Sequence, residues 1–446
     1  MISTTSRRNE NKSDYKRWKK ETKLPIKICE PKNSLMTDLL SKDENLKSIY
    51  YLGVAVFITT VLSTAATDYI NEGRVYLSSR ITTTAFKNFS YAILLWIPIF
   101  LSSLIVYFCF MLWDKVRRFM KNQTKMWDLL WLTLFILYYL GLLYLSAKAV
   151  LFYDLGIASS IAVMTETIRL LMKNYAFVRA NCSKYLQQPE ELQHPTFSHY
   201  LYFSFAPVAI YKDVYPRSNH PIRWGFIGRC AFEFFCAFLF YGIVYEKTFC
   251  LGLRDYGIKP YTWIDITTAI LNNFYAGFIL LLLFFYAALH LYCNIAAELT
   301  RFSDRLFYKD WWTANTPDQC LRKWNVFVHN WLYTYIYKDF YEYVIPNKTL
   351  AKFMVFFMSA LFHDLVICVS ARLFIPITAI MFMVPAVMME TVKMNKHVFR
   401  VLLWMNFGLS ISLNFTILSV EYFARINCPL NDESIYNIIK PRFLYC

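Results

Sequence analysis

The chain has 446 residues, 57% of them hydrophobic, 19% aromatic and only 17% charged. That balance excludes an ordinary water-soluble domain and reads as a polytopic, all-α membrane protein. Lys and Arg number 47 against 31 Asp and Glu, a net +16, yet no Gly-rich phosphate loop, zinc-ligand spacing or nucleic-acid motif accompanies the excess. The charge is therefore assigned to membrane-flanking loops and not to a nucleic-acid partner. No H-E-x-x-H or paired-His spacing points to a metal, and no cofactor is implied.

Met1 to about Lys47 is polar and basic (RRNENKSDYKRWKKETK), without the apolar core and cleavage site of a signal peptide, and is expected to be a disordered cytosolic tail. Residues 48–446 are expected to form one membrane domain. Nine apolar segments of spanning length follow, near 49–67, 92–113, 127–151, 157–172, 226–245, 268–297, 350–371, 373–390 and 398–420. The fourth carries Glu166 and Arg169 and is the weakest of them. The basic loops DKVRRFMKNQTK and TVKMNKH fall on the side of the basic N-terminus, which the positive-inside rule makes cytosolic. Nine crossings then put the C-terminus in the lumen, where oxidising conditions permit Cys428 to pair with Cys446. The remaining cysteines lie mostly inside apolar segments, where a thiol is a small inert hydrophobe. The sequon at Asn88 sits hard against the second span, which argues against its glycosylation.

Two stretches assigned to the cytosol, about 173–225 and 298–349, are too long to be mere connectors. The first contains HPTFSHYLYFSFAPVAIYKDVYPR, an aromatic surface punctuated by Pro195, Pro207 and Pro216 that suits the membrane interface. The second holds RFSDRLFYKDWW and then HNWLYTYIYKDFYEYV, in which Trp331, Tyr335 and Phe340 share a helical face. An amphipathic helix lying in or under the headgroups is expected there. Beyond it, Leu350 to Ala371 is an apolar run with His363 and Asp364 at its centre. An ionisable group at membrane depth is costly and faces a protein interior or a watery cavity, and imidazole can exchange a proton near neutrality. A structural histidine bonded to a neighbouring helix is the competing reading.

FYKDWW at Phe307 to Trp312, WNVFVHNW at Trp324 to Trp331 and then His363 resemble the sterol O-acyltransferases of the membrane-bound O-acyltransferase superfamily. The resemblance continues through LSTAATDYINEGR at 62–74, ETIRLLMKNYAFVR at 166–179, YLYFSFAPVAIYKDVYPR at 200–217 and YFARINCPL at 422–430. Three positions depart from the usual pattern. Thr313 stands where the motif commonly ends in Asn, Asp364 where Glu is usual, and Asn330 where Asp is common after the His.

The resemblance implies transfer of a long-chain acyl group from acyl-CoA, a co-substrate, to the 3-hydroxyl of a sterol in the endoplasmic reticulum membrane. An alcohol is a poor nucleophile at neutral pH, so His363 would act as general base, and Asn325 would stabilise the oxyanion or orient the thioester. His329, one helical turn from Asn325, is assigned a supporting hydrogen-bonding role. Arg322, Tyr337, Lys348 and Ser359 match residues lining the acyl-CoA path, although Lys348 reads equally as a snorkelling residue at the start of a span. Phe307, Tyr308, Lys309, Asp310, Trp311, Trp312 and Thr313 form the motif, of which Tyr308, Lys309, Asp310, Trp311 and Trp312 are expected to hold the cytosolic loop against the membrane helices. The other histidines, 194, 199, 220, 290 and 397, have no recommending partners and are read as structural or solvated. Ser359 shares a face with His363, but without a G-x-S-x-G elbow it makes no hydrolytic triad. The family implies a homodimer, with a tetramer as the alternative. The rival readings are a diacylglycerol or other lipid-alcohol acyltransferase and, from a different class, a transporter or proton relay using His363 and Asp364.

Overall fold

The computed structural model describes residues 29–120, 123–187, 194–391, 395–429 and 440–446. Regular structure among them is helical, with three isolated β-bridges and no strands. Among the described residues, seven helical stretches are long and apolar enough to cross a membrane: Glu44–Glu72 (α2), Ser79–Phe119 (α3, Ser79–Ala85, running into α4, Phe89–Phe119), Thr124–Phe152 (α5), Trp224–Cys250 (α8, Trp224–Tyr245, with a π-helical end), Phe274–Leu299 (α10, Phe274–Phe285, and α11, Cys293–Leu299, around a π-helical middle), Lys348–Ala371 (α14) and Lys396–Asn427 (α16). Each corresponds to one of the nine expected segments.

The other two expected spans are helical but differ in kind. Segment 157–172 opens Ile157–Gln187 (α6), a 31-residue helix in which Ser159, Ser160, Thr167, Lys173, Asn174 and Asn181 are all buried. Packed between α4, α5 and α14, α6 is the polar axle of the bundle. Segment 373–390 yields a 15-residue helix, Ile377–Thr391 (α15), because 373–376 is spent turning back from α14.

Lipid is as apolar as leucine, so helices in a membrane are held by close packing and by satisfied polar groups more than by exclusion of water. The axle shows both. Lys173 Nζ donates to the carbonyls of Phe203 and, at 2.6 Å, Ala206; Arg169 Nη1 donates to that of Ser204 at 2.7 Å while its other nitrogens grip Glu166. These cations occupy the orphan carbonyls at the C-terminal end of Phe197–Phe205 (α7). Phe177 and Tyr200 meet edge-on at 4.7 Å within an aromatic core that continues through Tyr211, Phe203 and Tyr107, and such pairs add about 0.5–1.5 kcal/mol each beyond the area they bury. On the far side α10 meets α16 so closely that a Cβ on Gly277 would stand 2.8 Å from the carbonyl of Gly408.

The stretch expected to be an amphipathic helix packs along α6. Val326–Trp331 (α13) leads into π-helical turns at Leu332–Tyr337 and Phe340–Val344. Trp331 Nε1 donates to Met172 O at 2.8 Å, and Arg179 of α6 clasps Asp339 through two nitrogens at 2.9 and 3.0 Å. The polar residues of α6 supply partners that lipid headgroups would otherwise have provided.

The expected boundary at residue 47 also moves. Residues 29–47 are folded onto the bundle, with Leu35–Lys42 (α1) helical, Lys32 paired in backbone with Ser303 and Arg305, and Ser34 buried; residues 1–28 lie outside the described residues. At the other end Cys428 and Cys446 form the expected disulfide. Buried Glu421 accepts from the backbone N–H of Arg442 and Phe443, each at 3.0 Å, and from Arg425, which pins the terminal turn to α16. Gly257, at φ +84°, leaves the space that the disulfide occupies. Asn88 spends its side-chain nitrogen on the carbonyls of Tyr153 and Asp154, which accounts for the doubt over its glycosylation.

Candidate active site

α14 begins at an Asn347 cap, whose side chain accepts from the N–H of Thr349 and Leu350, and ends at Arg372 in the left-handed region. Four turns in, His363 Nδ1 lies 2.7 Å from the carbonyl oxygen of Ser359. A carbonyl only accepts, so Nδ1 carries the proton and the neutral ring presents Nε2 as a lone pair. The ring is exposed from the protein's own side chains, with Phe382 of α15 edge-on at 5.3 Å.

Asp364 has another task. It is buried, and its two oxygens accept the N–H of Thr378 and of Ala379, both at 2.9 Å. These are orphan donors in the first turn of α15, so a carboxylate of α14 caps the neighbouring helix and complements its dipole. The pair singled out in the sequence therefore divides its labour. One member faces outward with a basic nitrogen; the other is committed to architecture.

Asn325 joins Pro317–Trp324 (α12) to α13, in an extended conformation that belongs to neither helix. Its Oδ1 caps α13 by accepting from Val328 N at 3.1 Å, which fixes the amide orientation and leaves the NH2 group without a partner among the described residues. The FYKDWW motif brackets this joint in backbone. Val326 N donates to Phe307 O at 2.8 Å, and Lys309 N donates to Lys323 O at 2.7 Å. Trp311 is buried against Trp324 at 4.6 Å and against Phe285, Trp404 and Phe407, which ties the loop to α10 and α16. Trp312 packs edge-on against Trp311, and Lys309 is exposed. Thr313 donates its hydroxyl to Asp310 Oδ2 at 2.6 Å, and Lys323 reaches the same oxygen at 3.1 Å. A short hydroxyl thus serves where an amide is usual.

Two residues gain roles that the sequence concealed. Tyr308 is buried, and its hydroxyl meets His290 Nδ1 at 2.8 Å; Ser34 Oγ meets the same nitrogen at 3.1 Å. His290, expected to be structural or solvated, is structural: it is the buried knot joining the N-terminal segment, α10–α11 and the motif. Neither its spacing from Tyr308 nor Ser34 in a region read as tail signals this, because the contacts are tertiary.

The remaining expected residues lie on α12, on α13 and the π-helical turn that follows it, and on α14. Tyr333, Tyr337 and Tyr341 stack in succession, with ring centres 5.7 and 6.3 Å apart. Burial raises the Tyr337 hydroxyl above its usual range, while the nearby charges of Lys352 and Arg322 pull the other way. Arg322 is exposed and paired with Asp318 one turn earlier, and Lys348 is exposed at the first residue of α14. Ser359 is half-buried and contributes its carbonyl to His363. His329 packs beside Tyr333. The π-helical turn after α13 packs on α14, and α12 packs on α15, so the elements bearing Asn325 and His363 share neighbours.

Residues 82–420 match the membrane-bound O-acyltransferase family, and the chain belongs to that family: it is an acyltransferase embedded in a helical membrane bundle. It is 32% identical over 431 residues to sterol O-acyltransferase 1 of Mus musculus, covering 94% of this chain and 79% of the relative. Sterol O-acyltransferase 1 of Chlorocebus aethiops is 33% identical at 94% and 78% coverage, and sterol O-acyltransferase 2 of Homo sapiens 29% identical at 92% and 79%. Within the superfamily the chain belongs with the sterol O-acyltransferases.

Proposed function

We propose that the protein esterifies the 3-hydroxyl of a sterol with a long-chain acyl group taken from acyl-CoA. The observation that carries the chemistry is the hydrogen bond from His363 Nδ1 to Ser359 O, which holds the imidazole in the tautomer whose Nε2 accepts a proton. In this reading Nε2 takes the sterol hydroxyl proton as the oxygen attacks the thioester carbonyl, a contribution of roughly 10² to 10⁴ in rate. The NH2 group of Asn325, freed by the cap that its oxygen makes, donates to the oxyanion of the tetrahedral intermediate. The C–S bond then breaks, and the imidazolium returns the proton to the departing CoA thiolate.

The cations Arg322 and Lys352 near the stacked tyrosines, and Lys348 at the start of α14, suit the phosphates of CoA, while the apolar residues of α14 and α15 suit an acyl chain and a sterol ring system. His329 supports Asn325 from the next turn. The relatives' names favour a sterol over diacylglycerol as acceptor, and a proton relay through His363 and Asp364 is disfavoured because Asp364 spends both oxygens on α15. The same family membership supports an endoplasmic reticulum location with cytosolic N-terminus and luminal C-terminus, and a homodimer.

The test is His363→Ala in microsomes given labelled acyl-CoA, with protein abundance controlled and the products resolved. Near-complete loss of steryl ester with normal membrane insertion is expected. Retained turnover would refute the base assignment, and triacylglycerol in place of steryl ester from the unmodified protein would refute the acceptor.

A further inference from the structure

Away from the site just described, a cleft of about 550 Å³ opens where α7 meets the end of α11. Its walls combine two chemistries. Phe205 and Leu299 are nearly half exposed, and Leu299 is the last residue of a stretch long and apolar enough to cross a membrane, a position that suits the boundary between hydrocarbon and water. Across from them stand Arg217 and Arg301, both exposed, with Asn219 at the mouth and no carboxylate in the lining. The acid one turn earlier, Glu298, is already used by Arg223 and Arg305.

The cations are held in place before any ligand arrives. Residues 216–218 pair in backbone with 301–303, through Ser303 N to Pro216 O at 3.0 Å and Ser218 N to Arg301 O at 2.8 Å. The Arg217 guanidinium sits over the Tyr202 ring, 3.9 Å from its centre, which holds the cation at the cleft wall. Arg301 directs Nε and one terminal nitrogen at Ser218 O, at 3.0 and 2.7 Å, and keeps Nη1 without a partner among the described residues. Two fixed guanidinium groups with no opposing acid suit a phosphodiester, which they bind through forked, charge-assisted donors. A volume of this order is within the range of ordinary ligand sites.

We infer that this cleft seats the headgroup of an anionic membrane phospholipid, its phosphate between Arg217 and Arg301 and its glycerol and upper acyl chain against Phe205 and Leu299. The apolar wall at bilayer level favours a lipid over a free phosphate, which has no use for it. The inference is independent of the catalytic assignments.

The full-length protein in neutral detergent, mixed with phosphatidylserine or phosphatidylcholine at matched ratios, tests it by native mass spectrometry of retained lipid and by the thermal unfolding midpoint. Phosphatidylserine should be retained selectively and should raise the midpoint. In R217Q/R301Q that selectivity should fall about 30-fold, the product of two surface cations. Asn219→Asp adds a negative charge at the mouth with no packing lost and should lower retention several-fold, which keeps the test open if the double variant does not fold. Unchanged retention in either folded variant overturns the site. Inorganic phosphate alone raising the midpoint as far as phosphatidylserine, or equal retention of phosphatidylcholine, overturns the anionic lipid as its occupant.

Discussion

Replacing Asp364 by Asn separates architecture from chemistry at adjacent positions. The buried carboxylate accepts two N–H groups of α15 at 2.9 Å each. An amide in its place keeps one acceptor and turns an NH2 group toward the second donor. One charge-assisted bond is lost, about 1.5–3 kcal/mol, together with the charge that complements the α15 dipole, about 0.3–1 kcal/mol. Relief of the cost of burying a charge offsets part of this, so a net destabilisation of about 2–3 kcal/mol is expected. His363 depends on Ser359 O within its own helix and not on Asp364, so turnover per folded molecule should stay within a few-fold. The assay pairs the thermal unfolding midpoint of detergent-purified protein with ester formation normalised to the monodisperse fraction. A clear fall in midpoint with retained turnover is expected. An unchanged midpoint with turnover down a hundredfold or more would place Asp364 in the proton path and refute the division of labour.

Asn325→Asp preserves the cap on α13, since a carboxylate also accepts from Val328 N, but removes the donor; turnover should fall about 10² to 10³ with the unfolding midpoint unchanged, and equal loss of both would make the residue merely structural. Thr313→Val deletes the bond to Asp310 and should cost about 1 kcal/mol at neutral pH. Partial burial alone would raise the Asp310 carboxyl, but hydrogen bonds from Thr313 and Lys323 outweigh it and hold its pKa below the ordinary value. Because the folded-state value is the lower one, this stabilisation is complete above the ordinary carboxylate range and fades as pH falls through the lowered value. Unfolding curves of Thr313→Val and the unmodified protein should therefore converge below about pH 4, and a constant gap would refute the linkage. Cys446→Ser opens a link between residues 18 apart and should cost about 3 kcal/mol, read as a lower unfolding midpoint that reductant produces in the unmodified protein and not in the variant.

The parts of this protein legible in its sequence are those governed by local rules. Seven apolar runs form helices long and apolar enough to cross a membrane, because length and hydropathy decide that. The motif aromatics were assigned to holding a loop against the helices, and Trp311 does so through five-ring packing with Phe285, Trp324, Trp404 and Phe407. What stayed hidden was the use of polar groups across long separations. Segment 157–172 looked like a weak span because Glu166 and Arg169 were counted as costs; their partners, Trp96 and the carbonyl of Ser204, lie 70 and 35 residues away. Residues 329–344 are tied in the same long-range way, since Asp339 finds Arg179 at a separation of 160. Residues 29–34 read as tail by composition, although Ser34 reaches His290 across 256 positions.

The motif and the proposed centre are coupled by that hidden layer. Sequence places FYKDWW and Asn325 side by side without saying why one should need the other. The backbone bonds from Phe307 to Val326 and from Lys309 to Lys323 supply the reason, since they clamp the residues on both sides of Asn325. Tyr308, the residue between the two clamps, is fixed by His290, and Trp311 is fixed by α10 and α16. An amide donor is useful to an oxyanion only if it is held in place before charge develops. In this protein the holding is done by main-chain atoms, which any non-proline residue could supply, while the identity of the motif side chains is spent on anchoring that main chain to the membrane helices. The tolerance of Thr313 follows from the same logic: what the turn requires is a donor to Asp310, and a hydroxyl at 2.6 Å provides it.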